Sequence, residues 1–251
     1  MTAAHAPQPS ANSLPEVALI WRRSDFSESS RLITLVTPDH GKVTALAKGA
    51  HRPGSPLLGK VDHLNLVYPR FAKRKGTGIL LLRGLDLVRE HRGLRQPRRF
   101  AAAAYLVEIF DVAMLAGRPD PQLFDLLVGA LHVLEKCPAR NLPKFVTGLE
   151  LRFLSALGLL PDLAHCSECG TPATQLHVTR RHLGLVCATH AEGGRPIPAP
   201  TLAWLRRVAR TPGREWDALP QPDQPTQSLL GRWISVAIER QTHWRGIALR
   251  K

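Results

Sequence analysis

The chain has 251 residues, 44% of them hydrophobic, so it can bury a substantial core and global disorder is excluded. Its formal charge of +14 and pI near 10.6 favour polyanions, nucleic acid before acidic membrane surfaces. It has no apolar run of the roughly twenty residues that a spanning helix needs, so no membrane segment is expected. Residues 1–14 have neither a cationic start nor an apolar block. They read as a disordered lead rather than a signal peptide, and a cytoplasmic protein is expected. Glu16–Arg23 then begins a first strand.

The stretch from Ser24 to Arg52 reads as a hairpin. Ile33–Thr37 alternates apolar and hydroxyl side chains, and Val43–Ala47 resumes a strand-like run. Between them Pro38, Asp39, His40, Gly41 and Lys42 supply turn chemistry, with proline fixing φ and glycine accepting a positive φ. The second strand runs into Lys48-Gly49-Ala50-His51-Arg52, where a glycine beside cations lets backbone N–H groups and long side chains reach phosphate together. The ordered set Asp25, Phe26, Glu28, Ser29, Arg31, Pro38, His40, Gly41, Lys42, Lys48 and Arg52 resembles the N-terminal domain of the RecO family of bacterial recombination mediators. The resemblance continues more weakly through the helical middle and a cysteine cluster.

Val61–Tyr68 alternates over eight residues and predicts a half-buried strand. Pro69–Gly76 reads as a basic turn, and Gly78–Arg83 and Leu85–Arg89 close the set. Short strands at this spacing predict a small barrel over residues 15–90. Pattern alone leaves an OB-fold and an SH3-like barrel open, and the resemblance implies the OB-fold. The period changes from about Arg98. Phe100–Phe110 is a helix that Gly117-Arg118-Pro119 stops, and Asp120-Pro121 starts another with Leu123, Leu126, Leu127, Ala130, Leu131 and Leu134 on one stripe. A third runs from Leu142 with Phe145, Leu149, Phe153, Leu154 and Leu157 inward, ending at Gly158. The expected architecture is therefore α+β and multidomain: an OB-fold-like barrel, then a helical domain over 91–251 carrying a zinc-knuckle insertion at 161–195.

That insertion rests on Cys166-Ser-Glu-Cys169 and, seventeen residues later, Cys187-Ala-Thr-His190. Each knuckle places two ligands on one tight turn, and the pair completes a tetrahedron. His190 stands where a fourth cysteine is usual, and His165 and His182 compete with it for the fourth place. A closed set of four protein ligands leaves no position for water, so a structural zinc is expected. Cys137 reads as a lone free thiol. Beyond the insertion, a basic helix carries Leu202, Leu205 and Val208 on one face with Arg206, Arg207 and Arg210 around the other. Pro212–Pro225 reads as a surface loop, and a last helix from Thr226 packs Leu229, Leu230, Trp233 and Ala237.

The positive charge sits in three places. The barrel carries Arg22, Arg23, Lys42, Lys48, Arg52, Arg70, Lys73, Arg74 and Lys75, and the junction after it Arg89, Arg92, Arg95, Arg98 and Arg99. All of these but Arg89, thirteen in number, are the candidate DNA contacts. The third set, Arg206, Arg207, Arg210 and Arg214, reads as a solvated face. Few barrel aromatics are available for base stacking, so binding is expected to be electrostatic, salt-dependent and tolerant of single- and double-stranded DNA. The resemblance implies a non-enzymatic mediator that anneals complementary strands and helps load a recombinase onto DNA coated with single-strand-binding protein, with RecR as partner, at the nucleoid. The alternatives are a zinc-stabilised architectural or regulatory double-stranded-DNA binder, a zinc-dependent nuclease or hydrolase, and an RNA-binding factor, which composition leaves open. The hydrolase would need an open metal position and paired carboxylates.

Overall fold

The computed structural model describes residues 16–73, 79–179 and 183–250. It divides into two compact units. One runs to Arg95 and takes in Phe110–Glu135; the other comprises Gln96–Ile109 and the chain from Lys136 onward.

The first unit is built on a closed five-stranded barrel. Its strands are β1 (Ala18–Asp25), β2 (Arg31–Thr37), β3 (Gly41–Ala47), β4 (Leu66–Lys73) and β5 (Leu80–Arg89), in the order β1-β2-β3-β5-β4. β3 and β5 pair in parallel and β1 closes on β4, which is the connectivity of an OB-fold rather than a simple meander. Alternation put the right residues inside: Ile33, Leu35, Val43, Ala45, Ala47, Leu80 and Leu82 all belong to the barrel core. Gly41 has φ +64°, as the turn reading required. It has a second reason to be glycine, since a Cβ there would stand within 2.6 Å of the Arg118 carbonyl oxygen.

Two strand boundaries differ from expectation. The strand predicted from Val61 begins only at Leu66, because Leu64 turns left-handed (φ 66°) and the Asn65 side chain donates to the carbonyls of Gly59 and Lys60 at 3.2 and 3.0 Å. Alternation is blind to such a local side-chain clamp. In the other direction, β4 runs on through Pro69 to Lys73, where a basic turn was predicted. β1 pairs with β4 only at Leu66 and Val67, so Pro69 occupies an edge where its missing N–H costs no ladder bond. The two predicted strands on either side of Gly84 form the single strand β5.

α1 (Pro97–Ala113) and α2 (Pro121–Lys136) follow, and Asp120 caps α2 by accepting the Leu123 N–H at 2.9 Å. The second unit centres on α3 (Leu142–Ala156), which is buried on almost every side among α4 (Ala199–Arg210), α5 (Gln224–Ala237) and α6 (Arg245–Ala248). That leaves its three polar core residues needing partners. Lys144 donates to the Asp217 and Leu219 carbonyls at 2.8 Å each, and Thr147 to the Pro143 carbonyl at 2.7 Å. Glu150 accepts from Tyr105 Oη at 2.6 Å and from Arg245 Nε at 2.5 Å. Pro212–Pro225 is not a simple surface loop. It sends Trp216 into the core over Gly148, where a Cβ would meet the indole at 2.7 Å. Its prolines and polar residues concealed that anchor.

Candidate nucleic-acid interface and metal centre

The metal centre is built by two turns and a three-stranded sheet. β6 (His177–Val178) lies between β7 (Leu185–Val186) and β8 (Arg195–Pro196). The first knuckle closes when Gly170, at φ +68°, donates to the Cys166 carbonyl at 2.9 Å. The second closes through the His190 N–H to the Cys187 carbonyl at 3.1 Å. Ser167 N–H to the Leu185 carbonyl, 2.8 Å, ties the two together. The result brings ligand atoms of Cys166, Cys169, Cys187 and His190 within 4.8 Å of one another. His190 Nδ1 is 3.3 Å from Cys187 Sγ and 3.7 Å from Cys166 Sγ.

Three soft sulfurs and an imidazole nitrogen at that spacing fit a tetrahedral metal ion. Burial opposes ionisation of Cys166, but backbone N–H donors from Cys187, Cys169 and Glu168 outweigh it and bring the thiol down to about 6. His165 turns away to Asp162, at 2.9 Å, which leaves the fourth place to His190 among the described residues. His182 lies outside them. From α4, Arg206 donates to the Leu163 and Ala173 carbonyls at 2.8 and 3.3 Å. It is thus a clamp on this module rather than part of a solvated basic face. Cys137 is buried, and desolvation raises its thiol to about 11.

The candidate DNA contacts fall into distinct groups. Lys48 and Arg52 are exposed in the loop after β3, with no carboxylate partner among the described residues. Arg23 pairs with Asp62 and Arg70 with Asp86 on the barrel surface. Arg92 and Arg95 each contact Glu90 at 2.7 Å, with side chains 81% and 67% exposed. Arg22 and Lys42 converge on Asp111, which also accepts the Trp21 Nε1 proton at 2.7 Å. Arg98 donates to the Arg250 carbonyl at 2.6 Å and Arg99 to the Cys137 carbonyl at 3.0 Å. The backbone of Lys73 ends β4, while Arg74 and Lys75 lie outside the described residues. Arg31, which is part of the family resemblance, and Arg83 are not among the thirteen candidate DNA contacts. Arg83 is exposed on β5, and Arg31 lies between Asp25 and Asp62 at 3.3 and 4.0 Å. Isolated arginines inside otherwise apolar strand patterns carry little signal of this kind.

Among the described residues, no helix is long and apolar enough to cross a membrane. Two family models cover most of the chain: Recombination protein O N terminal matches residues 15–91, and Recombination protein O C terminal matches residues 94–245. Curated relatives called DNA repair protein RecO agree. That of Anaeromyxobacter dehalogenans (strain 2CP-C) is 33% identical over 196 residues, 76% of either chain. That of Geobacter metallireducens is 32% identical over 228 residues, covering 89% of this chain and 91% of the relative. For Bacillus subtilis the identity is 28% over 170 residues, 67% of this chain and 65% of the relative.

Proposed function

We propose that this chain, which belongs to the RecO family, is a non-enzymatic mediator of DNA repair and recombination. In this reading it binds single- and double-stranded DNA through the barrel over residues 15–90 and through the arginine junction. It anneals complementary strands and helps load a recombinase onto DNA coated with single-strand-binding protein. RecR is its partner, and the nucleoid its place of work. The observation that carries the reading is the set of exposed guanidinium and ammonium groups on the OB-like barrel and the turn directly after it: Arg23, Lys48, Arg52 and Arg70 on the barrel, Arg92 and Arg95 just past β5. Two strands brought to one cationic protein lose much of their mutual repulsion, and base pairing then supplies the specificity.

The four-donor cluster supports a structural zinc. Cys166, Cys169, Cys187 and His190 would hold the ion, which would join the two knuckles and leave no protein-free coordination position. The barrel's scarcity of stacking aromatics supports sequence-tolerant binding governed by salt.

Annealing of two complementary fluorescent oligonucleotides, bare and coated with single-strand-binding protein, tests the proposal. Acceleration on coated strands is the expected result. Tight duplex binding without any acceleration would instead favour an architectural double-stranded-DNA binder.

A further inference from the structure

The charged side chains along one part of the barrel unit form an unbroken series. Arg92 and Arg95 share Glu90, taking opposite carboxylate oxygens at 2.7 Å each. Arg95 also faces Asp62 Oδ2 at 4.0 Å. The other oxygen of Asp62 pairs with Arg23 and lies 4.0 Å from Arg31. Arg31 reaches Asp25 at 3.3 Å, and Asp25 in turn meets His51 Nε2 at 2.8 Å. Four guanidiniums are therefore linked through three carboxylates, with Arg95, Arg23 and Arg31 all meeting Asp62, and His51 leads to Arg52 and Lys48, which have no carboxylate partner among the described residues. Three stretches of chain are involved: the β1 end with the adjacent start of β2, the turn before β4, and the stretch after β5.

We propose that Glu90, Asp62 and Asp25 are internal stand-ins for phosphates: they hold Arg92, Arg95, Arg23 and Arg31 in a row, and a nucleic-acid backbone takes their place. This rests on the reading of the barrel as a nucleic-acid interface. The chemistry is direct. Carboxylate and phosphate offer a guanidinium the same paired oxygen acceptors, so an arginine positioned by one is positioned for the other. Four unpaired guanidiniums side by side would repel and scatter, whereas the linking carboxylates keep them ordered. Exposure then makes the exchange possible. Arg92, Arg95 and Arg23 have side chains 81%, 67% and 40% exposed, so their pairs are bathed in water and weak, whereas Arg31, at 18%, is the least exposed of the four and anchors the end of the row between Asp62 and Asp25. The Arg92 hydrogen bond holds the Glu90 carboxyl below its usual range, so Glu90 is charged at neutral pH. Each displaced carboxylate then remains beside the incoming phosphate and repels it. The acids consequently set both the order of the row and a limit on its affinity, which lets a strand leave again.

The inference makes an unusual demand: deleting a charge partner must strengthen binding. Fluorescence anisotropy of labelled oligo-dT and of a duplex, over a series of salt concentrations, provides the test. Asp62→Asn and Glu90→Gln should each tighten binding about fivefold, the size of one exposed ion-pair interaction. Each should also steepen the logarithmic salt slope by about one, because a freed guanidinium now releases a counterion. Arg95→Ala should weaken binding and make the slope shallower by about one. Thermal melting of each variant checks folding, and Glu90→Gln carries the test if Asp62→Asn melts early. Wild-type or weaker binding by folded Glu90→Gln would overturn the stand-in role and leave the row a structural brace. Lys48→Ala and Arg52→Ala, outside the row, separate the two levels. If they weaken binding while the carboxylate variants change nothing, the interface stands and the stand-in idea falls. If wild-type protein binds without salt dependence, the interface reading itself falls.

Discussion

In the helical unit the Arg245 side chain is 18% exposed and its partner Glu150 is fully buried, whereas on the barrel Arg92 is 81% exposed beside Glu90 at 20%. The residue types are the same and the consequences differ. Both Glu150 oxygens have fixed partners: Tyr105 donates one proton and Arg245 donates two, and Arg245 further donates to the Gln227 carbonyl at 2.6 Å. Gly231 must lack a side chain for that guanidinium to fit, since a Cβ would come within 2.6 Å of it. Such a pair cannot open without stranding a charge in the core. The barrel pairs can open into water at small cost. Burial thus makes one set of arginines part of the fold and leaves the other available to a ligand.

The largest effect expected from this contrast is on stability. Glu150→Ala should lower the unfolding free energy by about 3–5 kcal/mol, because Arg245 and Tyr105 lose their common acceptor inside the core. Denaturant titration would show it as a fall in midpoint at unchanged slope. A loss below about 1 kcal/mol would mean that water reaches the pair, and the contrast would collapse. The metal centre belongs with the fixed contacts. Cys169→Ser should abolish stoichiometric zinc, measured by metal analysis, and speed hydrogen exchange across residues 161–195. Oligonucleotide affinity should survive, because the ligands hold a module of the other unit and not the barrel.

These two classes of residue were not equally legible in the sequence. The four-donor cluster was, because its information is local: two short knuckles and a histidine, with His165 set aside by its bond to Asp162 and His182 outside the described residues. The barrel was legible from alternation wherever the backbone obeyed it, and failed at Asn65, where a side chain bonds to nearby carbonyls. Trp216 was hidden among prolines, and its place is set by Gly148, far earlier in the chain. The partners of the charged residues were the least legible. Trp21 and Asp111 are 90 residues apart, and Arg245 and Glu150 are 95 apart. Composition gives the excess of positive charge; only the fold decides which cations are already spoken for.

Lys42 sharpens the boundary between the classes. Turn chemistry beside a basic loop nominated it as a DNA contact, yet its Nζ donates to the Asp111 carbonyl and carboxylate at 2.8 and 2.7 Å. Burial opposes ionisation of Asp111, but the hydrogen bonds from Lys42 and Trp21 and the charges of Lys42 and Arg22 hold its carboxyl below the usual range. A depressed folded value means stability that is present above the unfolded pKa, about 4, and is lost as pH falls through the folded one. Lys42→Met should therefore cost about 1 kcal/mol near neutrality and flatten the acid limb of the stability profile. Oligonucleotide affinity should fall less than in Lys48→Ala. A larger loss of affinity than of stability would move Lys42 into the exchangeable class.

The smallest effect on stability is expected at Arg92, and its comparison with Arg99 is the most direct. The two stand in one short stretch and were nominated together as strand contacts. Arg99 donates to the Cys137 carbonyl just past the end of α2, where helix carbonyls lack intrahelical partners. The Arg92 side chain, itself largely in solvent, pairs among the described residues with the Glu90 carboxylate alone. Arg99→Ala should then cost about 1 kcal/mol of stability, the worth of one side chain to main chain bond with partial burial. Arg92→Ala should cost less than about 0.5 kcal/mol. In anisotropy the order reverses: Arg92→Ala lowers the salt slope by about one and Arg99→Ala leaves it alone. Equal salt slopes in the two variants would show that exposure does not sort the arginines of this protein, and the distinction drawn from Glu150 and Glu90 would not extend to binding.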